Sequence, residues 1–146
     1  MYYVGFQLDS FEHLPDQAAC AMMRTLVEAL AGVDEAFIMN RRVPRLYDSG
    51  VRYSNPPKVG SKNPQPWRDV PLLLASGHGT CHELSAWRLA ELRYFYGEKN
   101  VVPCVTSKVM GDIRMFHVQV CDPVKGWVED PSEVLGMGSN PWEAFK

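Results

Sequence analysis

Cys81, His117 and Asp130 are the side chains of this sequence whose types and order suit thiol-based acyl transfer. Cys81 follows the glycine-rich stretch Ser76-Gly77-His78-Gly79-Thr80, at the point where a helix is expected to begin. A helix N-terminus carries about half a positive charge and unpaired backbone N–H groups, so it favours thiolate over thiol and can hold an oxyanion. With the Asp130 carboxylate accepting from one ring nitrogen, His117 would present the other to the Cys81 sulfur. The Cys81 backbone N–H then stands as one oxyanion donor. Taken alone, a cysteine at a helix start reads equally well as a small packing residue; the imidazole and the carboxylate decide between the two.

The elements that must position these groups follow from local pattern. Residues 81–96 read as a helix with Cys81, Leu84, Arg88, Leu92 and Phe95 on one face and Gly97 as the stop. Thr80 is the natural N-cap, and Glu83 completes a capping box. After Gly97 the period changes to two, predicting strands over 101–107, 114–121 and 126–130. If residues 122–125 form the hairpin loop, Cys121 opposes Gly126 and His117 directly opposes Asp130, with Cβ atoms about 4.5–5.5 Å apart. Asp122 is the rival carboxylate, but an Asp before Pro123 already serves the turn. Upstream, residues 15–30 predict a helix with Ala18, Met22, Leu26 and Leu30 on one face and Gly32 as its end. Residues 2–8 suggest a short strand. The proline-rich stretch 41–69 reads as a long loop, extended at Val51-Arg52-Tyr53, that walls a substrate groove.

The whole-chain properties exclude other function classes. A length of 146 residues fits one domain, 1–146, burying roughly two-thirds of its unfolded surface. Fifteen basic against seventeen acidic side chains give a net charge of −2, so nucleic acid and membrane are not expected partners. The cluster Arg41, Arg42 and Arg45 reads as a solvated loop. No apolar run approaches the roughly eighteen residues of a membrane span, and the N-terminus lacks a signal-peptide pattern, so the cytoplasm is expected. Four cysteines with no Cys-x-x-Cys pair suit a reducing compartment. No cofactor is called for. Zinc is disfavoured: His78, Cys81 and His82 lack a second close ligand pair, and His117 and Cys121 would lie about 14 Å apart along a strand. His13 reads as a surface or capping residue, and Trp87, Tyr94 and Tyr96 as packing and rim residues rather than a stacking platform.

The order Gly79-Thr80-Cys81 at a helix start, His117 on a strand, then Gly126-Trp127-x-x-Asp130-Pro131-Ser132 resembles the transglutaminase-like cysteine protease superfamily over residues 50–136. Val51-Arg52-Tyr53, Trp67, the stretch 72–93 and Glu129-Asp130-Pro131-Ser132-x-x-Leu135-Gly136-Met137 resemble a group of its small, phage-associated members. The resemblance implies an α+β fold with a papain/transglutaminase-like core, in which an N-terminal helix and a central nucleophile helix pack on a small antiparallel sheet. It implies a Cys81–His117–Asp130 triad acting on a protein or peptide substrate, hydrolysis before transamidation, with phage structural proteins as partners and a virion or phage-like particle as a second location. Two departures stand out. The family usually has Gly-Asp-Cys-Glu-Asp around the nucleophile; here Thr80 keeps the capping role, while His82 either raises the local positive potential or, as expected, points to solvent. The sequence does not identify the second oxyanion donor: Gln65 and Trp67 lie in the region where the family usually supplies it, and either reads equally well as a loop side chain. A non-catalytic structural or adaptor component of a phage-like particle is the alternative function.

Overall fold

A computed structural model describes residues 14–57, 65–111 and 113–145. The chain is mixed α+β. A long helix, α1 (Asp16–Asn40), leads through a 3-10 turn (Leu46–Asp48) to β1 (Arg52–Tyr53). Next come α2 (Val70–Ser76), β2 (His78–Gly79) and α3 (Cys81–Tyr96). A sheet of β3 (Val102–Met110), β4 (Ile113–Asp122) and β5 (Trp127–Glu129) follows, antiparallel in the order β3-β4-β5. β1 and β2 form a separate parallel pair. Among the described residues no helix is long and apolar enough to cross a membrane. The expected strand at 2–8 and His13 lie outside the described residues.

α3 is the centre of the packing. Ala86, Leu89 and Leu92 join Met23, Val27 and Ala31 of α1 and Val105, Val118 and Val120 of the sheet in one apolar cluster. Leu84, Trp87 and Ala90 join Ile38, Leu46, Val51, Val70, Leu73 and Leu135 in a second. Buried on both flanks, α3 has no narrow apolar stripe. Phe95, expected on the core face, is 37% exposed, with the Arg45 guanidinium over its ring at 3.1 Å. Arg41 and Arg42 are exposed.

α1 corrects two expectations. Its buried line is Ala19, Met23, Val27, Ala31 and Ile38, one residue along from the predicted Ala18 stripe. It also runs past Gly32, an exposed position whose cost of about 1 kcal/mol relative to alanine is outweighed by burying Ala31 and Ile38 on either side. α2, with a proline in its first turn and Gly77 at its end, was not foreseen.

Candidate active site

Thr80 sits in extended backbone immediately before α3 and forms the capping box with Glu83. The Glu83 carboxylate accepts the Thr80 backbone N–H at 2.9 Å. It also accepts the Arg68 backbone N–H and Nε at 2.9 Å each and Nη2 at 3.0 Å. Burial raises its pKa, but these donors hold it below the ordinary value. The helix start is thereby fixed to the incoming segment 65–69. Gly79 permits the close approach, since a Cβ there would lie 2.9 Å from Leu73 Cδ2 and 3.1 Å from Leu84 Cδ2. Its carbonyl accepts the Ser54 N–H at 2.8 Å, which brings β1 and Tyr53 beside the helix start.

His117 and Asp130 meet, though by a different register from the one predicted. The hairpin closes at Asp122↔Trp127, with Cys121 opposite Val128 and Val120 opposite Glu129, so the next pair sets Asp130 across from Gln119. Each strand is displaced by one position, and the two displacements together preserve the faces. Asp130 becomes a diagonal neighbour of His117, and the long imidazole closes the gap: His117 Nε2 lies 2.7 Å from Asp130 Oδ2. The Gln119 amide donates to the same oxygen at 3.1 Å, while Oδ1 accepts the Ser132 and Glu133 N–H groups at 3.0 and 3.3 Å. Against the opposing effect of burial, these bonds keep the carboxylate below its ordinary range. Asp122 serves its turn, with Oδ1 accepting from the Val124 and Lys125 N–H groups at 2.9 and 2.8 Å.

Cys81 is the first residue of α3 and is partly exposed. Burial pushes its thiol up, but hydrogen bonds and charge from His117 and His82 outweigh that and bring it to about 6. For His117, burial disfavours the charged ring, and its bonds to Asp130 and Cys81 raise it to about 9. A thiolate–imidazolium pair is therefore the favoured state at neutral pH. Cys121, in contrast, is pushed up to about 11 by burial and by its neighbour Cys104. Tyr53, Gln65, Phe116 and His117 line a narrow slot over Cys81 of about 10 Å³, room for about one water molecule.

The expectation that His82 points to solvent is overturned. His82 is buried, its Nε2 2.8 Å from the Pro66 carbonyl and its ring 4.2 Å from Trp67. The reason is Arg68, whose pairing with Glu83 draws segment 65–69 across the helix start and roofs the ring. Nothing in the spacing of Arg68 and Glu83 signals that pairing. Of the two residues in the oxyanion region, Gln65 lines the slot, with Nε2 3.5 Å from His82 Nδ1, while Trp67 packs on His82. His78 is exposed, with Nδ1 2.9 Å from the Ser76 carbonyl. Among the described residues no group of three or more His, Cys, Asp or Glu side chains is arranged to hold a metal ion. Comparison with protein-family models, with curated proteins and with solved structures gives no match.

Proposed function

We propose that this protein is a thiol-dependent acyl-transfer enzyme, a cysteine peptidase or amide hydrolase with a papain/transglutaminase-like core. The observation that carries the reading is the 2.7 Å His117–Asp130 contact beside a thiol held at about 6 in the first turn of a capped helix. The Cys81 thiolate attacks an amide carbonyl, and the oxyanion is received by the Cys81 backbone N–H and the Gln65 amide. As the C–N bond breaks, the His117 imidazolium gives its proton to the departing amine, leaving a thioester. His117 then takes a proton from water, which attacks the thioester and returns the thiol; an amine in place of water gives transamidation. A protein or peptide is the substrate, and the resemblance to phage-associated proteins suggests a phage or phage-like particle as the setting.

Selective alkylation tests this. With substoichiometric iodoacetamide at pH 7, Cys81 is expected to label ahead of Cys20, Cys104 and Cys121. His117→Ala is expected to slow it by about 10- to 100-fold as the thiol returns toward its ordinary range. The thiolate is lost as pH falls through about 6, and the imidazolium as pH rises through about 9, so amide turnover should be bell-shaped between those limits. If Cys81 labels no faster than Cys20 or Cys104, the enzyme reading fails and a structural or adaptor role takes its place.

A further inference from the structure

The end of β5 is gripped from the side opposite to His117. Glu129 pairs with Val120, so its side chain leaves the sheet on the core side, whereas Asp130, the next residue, turns toward Gln119 and His117. On the core side Glu129 Oε2 accepts Arg88 Nε at 2.5 Å and the Tyr47 hydroxyl at 2.8 Å, and Oε1 accepts Arg88 Nη2 at 3.2 Å. Arg88 Nη1 donates to Glu91 Oε2 at 3.0 Å, and Glu91 Oε1 accepts the Leu46 N–H at 2.6 Å. Arg88 is 13% exposed and Glu91 1%.

Buried ion pairs are a poor source of stability, because desolvation cancels much of the attraction and apolar replacements often do as well. What a guanidinium fork supplies is fixed geometry. β5 needs that supply. It spans Trp127–Glu129, its pairing with β4 ends at Glu129, and Asp130 lies one residue beyond the last ladder pair. Short strand ends open readily unless something besides the ladder holds them. We infer that Arg88 is a positioning residue: by gripping Glu129 it fixes the end of β5, so that Asp130 meets His117 in one orientation. The inference rests on the reading of Cys81, His117 and Asp130 as the reacting set.

His117 is the reporter to follow, by NMR titration of its ring in the full chain, with Cys81 alkylation measured in parallel. Arg88→Lys keeps the charge and loses the fork; Glu129→Gln is the milder second variant, keeping the shape and losing the carboxylate. Arg93→Met is the control. It breaks a comparable fork from α3 to Glu28, 2.7 and 2.9 Å, and a bond to the Val101 carbonyl at 2.7 Å, none of these partners lying on β5. The His117 midpoint should fall by about one unit in Arg88→Lys and Glu129→Gln, a tenfold change in the protonation equilibrium, and stay in place in Arg93→Met. An unmoved midpoint in folded Arg88→Lys and Glu129→Gln overturns the inference, as does an equal shift in the control. Indifferent alkylation of Cys81 in the wild type would instead remove the enzyme reading and leave the His117 measurement valid.

Discussion

Cys81 and Asp34 are both pushed upward by burial, and their partners settle where each ends. Two imidazoles bring Cys81 down to about 6. Asp34, fully buried on α1, accepts a single bond from the Val70 N–H at 2.9 Å, and Asp69 and Glu83 add like charge, so its carboxyl rises to about 8. It is held as the neutral acid at pH 7. The unfolded chain releases that proton near 3.8, so between about pH 4 and 8 the folded state binds more protons and stability falls as pH rises. Asp34→Asn is expected to flatten that slope, with melting at pH 8 raised relative to wild type and melting at pH 4 nearly unchanged; equal shifts at both would contradict it. The types of the chemical residues were legible in the sequence, because Cys, His and Asp announce their chemistry. The inward turn of His82 and the neutral state of Asp34 were not, because each depends on a segment distant in the chain folding over it.

Elements were legible where local signals fix them. The limits of α3, Cys81 to Tyr96, coincide with those read from Thr80, Glu83 and Gly97, since a capping box and a left-handed C-cap (φ 64° at Gly97) act within a few residues. The hairpin was legible in its faces and not in its count: Gly126 N–H closes onto the Asp122 carbonyl at 2.7 Å, which takes Asp122 into the strand and lengthens β4 by one. α1 shows the limit of a stop signal, since Gly32 ends a helix only where nothing beyond it is worth burying. Among the described glycines, Gly79 in β2 leaves the least room for a side chain. Gly79→Ala must displace Leu73 and Leu84, and the expected loss is about 1–3 kcal/mol in denaturant unfolding. Slower Cys81 alkylation should accompany it, because Thr80 and the cap begin at the next residue. An unchanged midpoint would mean that the two leucines repack without cost.

At the scale of the whole molecule, the thiol and its partners come from different continuous stretches. Cys81, His82, Glu83, Arg68 and Gln65 precede Gly97, whereas His117 and Gln119 on β4 and Asp130 just beyond β5 follow it. The joint between them, Lys99 and Asn100, is exposed, and the apolar cluster beneath it is shared by helices on one side and strands on the other. Cut at this joint, fragments 1–99 and 100–146 are expected to associate through the apolar area they bury together. Fragment 1–99 keeps His82 and loses His117, so its Cys81 thiol is expected to be less activated than in the intact chain. Mixing them should restore fast alkylation in step with association, and a fragment 1–99 already as reactive as the intact chain would refute that division. The Glu98–Lys125 pair, 2.7 Å across the same joint, is exposed on its lysine side and contributes little to holding the halves together. The gain in Cys81 reactivity that depends on His117 is therefore expected to track the fraction of reassembled molecules.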